Sequence, residues 1–244
     1  TAPWARSSSP TEGDLYGVAA GDHRLVAVGD DNTIITSTDG LNWSADTVSA
    51  PGSYFNVVAY GNGLFATTGD GGAIFTSADG TNWTQQTSPT TDGLWGMTFG
   101  NGLWVAVGGE GTIVTSPDGS HWTEQTNGIA AWLENVTFDN GQFVAVGGFG
   151  EICASTDGTN WTHQTLPANG EQLSGITSGN GLFVAVGSDG EIFTSPDGAN
   201  WTQQNSGGDA SLYNVSYGNG HFVAVGDNGA ILLSTDAINW MADT

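Results

Sequence analysis

The chain has 244 residues, among them 39 glycines, 10 tryptophans and 25 acidic side chains against two basic ones, for a formal charge of −23. A field of that sign repels phosphate backbones and anionic lipid, so nucleic acid and membrane surfaces are disfavoured as partners, and neutral polymers, cations and basic surfaces remain. No apolar run is long enough for a helical membrane span, and the single cysteine excludes an intrachain disulfide.

Taken in chain order, one seven-residue motif recurs six times: STDGLNW from Ser37, SADGTNW from Ser77, SPDGSHW from Ser116, STDGTNW from Ser155, SPDGANW from Ser195 and STDAINW from Ser234. Its tryptophans are Trp43, Trp83, Trp122, Trp161, Trp201 and Trp240, at intervals of 40, 39, 39, 40 and 39 residues. A constant period of this length means one supersecondary unit used repeatedly. Each unit opens with an apolar run such as LYNVSYG, continues after a Gly-Asn-Gly turn with a run such as HFVAVG, and adds a third run such as AILLS. The motif then leads into a fourth run beginning NW. Short β-branched and aromatic runs split by Gly, Asn and Asp are strands. Four strands per period, six times over, predict an all-β, six-bladed β-propeller with four antiparallel strands per blade, forming a single domain over residues 1–244. Cys153 alternates into EICAS where Phe75 and Phe193 stand in sister copies, so it is expected to be a buried small hydrophobe.

Before the first full unit, PWARSSSPTEGDLYG repeats the pattern of NWTQQTSPTTDGLWG, which makes Trp4 a seventh member of the tryptophan series. Both ends of the chain therefore offer a fourth strand. The expectation is that the ring closes by pairing of the N- and C-terminal segments.

The motif resembles the Asp-box, or BNR, repeat of bacterial sialidases and other secreted propellers. It departs from that pattern in having Gly directly after Asp39, Asp79, Asp118, Asp157 and Asp197, in a turn one residue shorter, and in carrying Ala237 in the last copy. The Asp can accept backbone N–H bonds in an Asx-turn while Gly takes positive φ, and the Trp is expected to leave the turn and pack toward the next blade. The resemblance implies a structural turn away from the ligand face and a secreted or cell-surface, bacterial protein. It also implies what sialidase activity would need: three arginines for the substrate carboxylate, a Tyr–Glu nucleophile pair and an Asp acid. Arg6 and Arg24 cannot supply three, so that activity is excluded. Without lysine there is no Schiff-base chemistry, and His23, His121, His163 and His221 stand far apart.

Differences between copies point to the site. Aligning the copies on the Gly or Asn before the first-strand Val gives an entry position occupied by Tyr16, Phe55, Trp95, Glu134, Ser174 and Tyr213. The loop after the second strand begins with Asp30, Asp70, Gly109, Gly148, Ser188 and Asp227. Blades six, one and two thus set an aromatic beside an Asp at the central opening, an arrangement that suits a stacked sugar or a cationic ligand. Trp132, Tyr54 and Gln172, in loops of variable length, are further contact candidates, and Phe149 is an apolar tip where sister copies are polar or glycine.

The leading expectation is a non-enzymatic, lectin-like or adhesion module for a neutral glycan or cell-surface polysaccharide. A protein-interaction scaffold is the alternative, as in photosystem assembly factors, whose repeats also resemble these but whose basic patch is missing here. A polysaccharide hydrolase or lyase using paired carboxylates is the third. No cofactor is expected, with Ca²⁺ at Asp30, Asp70 and Asp227 left open.

Overall fold

The computed structural model describes residues 8–48, 54–166 and 172–242. Within them the chain forms six four-stranded antiparallel sheets, each taken in sequence order from its inner to its outer strand. The chain is a six-bladed β-propeller. The inner strands are Leu15–Gly21, Phe55–Gly61, Leu94–Gly100, Leu133–Asp139, Leu173–Gly179 and Leu212–Gly218. The second strand of each blade ends at a glycine because the inner strand crosses too closely for a side chain. A Cβ on Gly69 would lie 1.8 Å from the Tyr54 carbonyl oxygen. A three-residue 3₁₀ turn follows each second strand, and its middle residue is left-handed throughout, from Asp31 (φ 52°) to Asn228 (φ 56°).

The repeated motif closes the hairpin between third and fourth strands. In the first copy Ser37 Oγ donates to Asp39 Oδ1 and accepts from the Gly40 amide. Asp39 Oδ1 accepts from the Leu41 and Asn42 amides, and Oδ2 accepts from the Asn42 side chain. Trp43 Nε1 then donates to the Gly40 carbonyl. In the third copy His121 replaces the Asn and places Nδ1 2.7 Å from Asp118 Oδ2.

These bonds hold the Asp39, Asp79, Asp118, Asp157, Asp197 and Asp236 carboxyls well below the usual range, chiefly through the backbone amide three residues on. A depressed folded-state pKa stabilises above the unfolded value and is lost as pH falls through the folded one. Glu134 and Glu151 are raised by burial and act in the opposite sense, gaining stability as they protonate. The six aspartates therefore dominate at low pH. The melting temperature is expected to hold between roughly pH 5 and 7 and to fall below about pH 4, near the unfolded aspartate value. A thermal melt series in pH, with Asp79→Asn showing a shallower acid limb, checks this.

Packing is sheet on sheet. Val144, Val146 and Ile152 of the fourth blade meet Leu173, Ile176, Phe183 and Phe193 of the fifth, and four further clusters repeat this between the other consecutive blades. Cys153 is one of the buried residues between blades three and four. Burial also pushes its thiol up. The motif tryptophans of blades two to six pack toward the preceding blade and not the next: Trp161 joins the cluster of Val105, Val107 and Ile113, and Trp201 that of Val144 and Ile152. The reason is local. The indole N–H is tied to its own turn, which holds the Trp161 ring beside Phe143 (centroids 6.4 Å apart) on the face turned backward. The sixth sheet takes its fourth strand from its own repeat, Met241–Ala242 paired with Leu232 and Leu233. Trp4, the expected closing residue, lies outside the described residues.

Candidate functional site

Every inner strand carries a register break at its second residue, where two residues oppose one on the neighbouring strand. The bulged residues are Tyr16, Asn56, Trp95, Glu134, Ser174 and Tyr213. A bulge lets a side chain leave the pleat and aim elsewhere, and all six line one cavity of about 710 Å³ at the ring centre. Five of these are the residues expected from sequence. Phe55 is not: it is fully buried against Val26, Val28 and Ile34, in a T-shaped contact with Phe75, and Asn56 holds the cavity position. In FNVVAYG the Asn precedes a Val and imitates the Gly of other copies, which shifts that alignment by one. Counting back from the last residue of each inner strand, a glycine in five blades and Asp139 in the fourth, gives the correct slot.

The turn after the second strand lies on the same face. Tyr16 Oη donates to Asp30 Oδ1 at 2.5 Å, and Tyr213 Oη donates to Asp227. Both phenols are exposed, at 52% and 55%, and each is raised first by its hydrogen bond to the carboxylate, Tyr16 to about 12. In the second blade Asn56 Nδ2 donates to Asp70 Oδ1 and to the Leu94 carbonyl. The aromatic–carboxylate pairing is thus present in blades six and one and becomes amide–carboxylate in blade two. Among the described residues, no three of Asp, Glu, His and Cys are gathered where they could hold a metal ion.

Blade four differs. Gly148 leaves room for the Trp132 ring, which a Cβ would meet at 2.4 Å. Trp132 is partly buried beneath Phe149, with ring centroids 4.9 Å apart. Phe149 is 60% exposed and left-handed (φ 58°), a conformation disfavoured for a bulky side chain. Glu134 accepts from Gln172 Nε2 at 2.8 Å, and burial raises its pKa. Tyr54 is exposed at the end of its loop. The described cavity lining contains one carboxylate, Glu134, and no His, Cys, Lys or Arg. Sequence reasoning missed the amide lining, Asn56, Asn135 and Asn214: Asn56 is itself a bulged residue, and Asn135 and Asn214 directly follow one.

Six sheets arranged around a variable, solvent-reached cavity define the described residues as a six-bladed β-propeller domain. Residues 45–133 and 97–209, together more than half of the chain, match the family described as the DUF6242 beta propeller domain, and the chain belongs to that family. No curated protein sequence matches it. Among solved structures it is similar to YCF48 bound to D1 peptide (20% identity, 96% of this chain and 82% of that one, TM-score 0.77). It is also similar to virginiamycin B lyase from Staphylococcus aureus (16%, 96% and 85%, 0.85). YCF48 from Cyanidioschyzon merolae is a third (16%, 99% and 88%, 0.75). Likeness at these identities is one of fold. No helix among the described residues is long and apolar enough to cross a membrane.

Proposed function

We propose that this domain is a non-catalytic interaction module whose central cavity and rim take an extended, basic segment of a partner protein. The observation that carries this is the pairing of exposed aromatic rings with carboxylates at one opening, in a chain of net charge −23. Asp30 and Asp227 each hold a phenol against themselves, so ring face and negative charge are presented together, as a Lys or Arg side chain prefers. The field also steers a cationic segment inward from a distance. Phe149 adds an apolar contact at the rim. Support by likeness comes from the YCF48 structure, which contains a bound peptide.

A neutral glycan is the second reading. It is favoured by the amides of Asn56, Asn135 and Asn214, which with Ser174 and the tyrosine plates form a hydrogen-bonding, stacking surface. Calorimetric titration with Lys/Arg-rich and neutral control peptides, beside a glycan array, separates the two. The basic peptides are expected to bind in the micromolar range, to weaken as salt rises, and to lose roughly tenfold or more in Tyr213→Ala. Phe149→Asn should also weaken them. No peptide bound at low salt, with a glycan retained by the parent and lost in Tyr213→Ala, would overturn the peptide reading in favour of the sugar.

A further inference from the structure

The five buried clusters join blades one to two, two to three, three to four, four to five and five to six. A ring of six has a sixth junction, between blade six and blade one, and no such cluster is found there among the described residues. On the first-blade side Leu15 is 40% and Val18 66% exposed, whereas their counterparts Leu133 and Val136 are at 0% and 3%. On the sixth-blade side Val225 is 40% exposed, against 0% for Val28, Val107, Val146 and Val186. Val223, Ile231 and Leu233 are partly exposed as well. Gly21, Gly61, Gly100 and Gly179 are each covered by an aromatic ring of the following blade, while nothing lies within 4 Å of a Cβ built on Gly218. The central cavity runs into this seam, along Leu15, Val18, Ala27, Ile35 and Trp43.

The two sides of the seam are of different kinds. Blade one shows the face that every other blade presses onto its predecessor, and blade six the face that every other blade offers to its successor. A twofold-related second copy would set blade one of each chain against blade six of the other, an arrangement that the mass measurement below distinguishes. One object matches both at once: a further sheet of the same repeat. The sequence carries a seventh copy of the outer-strand motif. Trp4 stands 39 residues before Trp43, in period, inside an outer-strand pattern, and the sixth sheet has no use for it because Met241–Ala242 fills that position. The three solved propellers each extend beyond the match by 12–18% of their length, which brackets the one-seventh that one sheet added to six would represent.

We propose that the seam between blades six and one is the docking slot for a seventh four-stranded sheet of this repeat. The added sheet would also close the side of the cavity that opens along Leu15, Val18 and Trp43, and the labelling test below reads the seam without reference to any ligand.

The test is made on the full chain with Val18→Cys and Val225→Cys introduced singly, Cys153 being buried and the parent serving as control. Thiol labelling is expected to be fast at both positions and at least roughly tenfold slower at the sealed counterpart Val215→Cys. Residues 166–200 are then fused ahead of Trp4, so that Trp4 falls in the place of Trp201. The melting temperature is expected to rise by roughly 5 °C or more, and labelling at positions 18 and 225 to be suppressed. A fusion with Phe183, Ile192 and Phe193 of the added copy changed to Ser should do neither. Residues 205–239, fused in the same way, provide a second donor. Slow labelling in the unextended monomer would show that six blades close on themselves, and slow labelling with a dimer mass by light scattering would give the slot to a second copy. Either result overturns the proposal, as does failure of both donors to protect the seam.

Discussion

Replacing Phe143 by Ala should remove about 3–5 kcal/mol of stability, while the equivalent change at Leu25 should remove about 1–1.5 kcal/mol. The two residues hold the same place, second in the second strand, on the face turned to the preceding blade. Phe143 is fully buried, with Phe138 at 4.5 Å and Trp161 at 6.4 Å between ring centroids. Its truncation leaves a void that a sheet-on-sheet junction cannot collapse into, because both backbones are fixed by their ladders. Leu25 is half-buried at the open seam, where solvent already reaches the site. For a chain of this size Phe143→Ala corresponds to a fall in melting temperature on the order of 10 °C. Urea unfolding of the two variants is the measurement. Equal losses would mean that the seam is as tightly packed as the other junctions.

Gly100→Ala is expected to cost about 1–3 kcal/mol or more although its backbone is ordinary extended strand. The added Cβ would sit 2.1 Å from the Phe138 ring, and that ring cannot retreat because Phe143 backs it at 4.5 Å. Gly218→Ala, in the same position of the last blade, meets nothing within 4 Å. It should be neutral or should stabilise by up to about 1 kcal/mol through the unfolded chain. Thermal melts of the two variants decide this, and a neutral Gly100→Ala would show that the blades can slide apart without penalty.

Much of this fold was legible in the letters, because a propeller repeats its packing instructions once per blade. The Ser-x-Asp-Gly turn fixed the period, and the Gly or Asn before the first-strand Val aligned five of the six copies correctly. The cavity was legible where the bulged residue differed sharply from its neighbours, as at Tyr16, Trp95 and Tyr213. It was misread at Phe55 and Asn56, because a bulge is an extra residue with no letter of its own and can only be counted, not recognised. The direction of the tryptophans was hidden for a similar reason. Their orientation depends on one indole-to-carbonyl bond within the turn, and alternation along a strand does not specify which neighbouring sheet a face will meet. Exposure at Leu15, Val18 and Val225 could not be foreseen either, since those letters are the same ones that elsewhere are fully buried.

The bulge at the second residue of each inner strand has a consequence for how such a molecule changes over time. The bulged residue makes no ladder pair, so its identity is freed from strand pairing, although Asn56 and Glu134 also bond to the neighbouring blade through Leu94 and Gln172. Tyr, Asn, Trp, Glu, Ser and Tyr already occupy the six positions on one shared backbone. Specificity can thus drift or be redesigned one blade at a time, as in a combination lock whose dials turn independently while the casing stays the same.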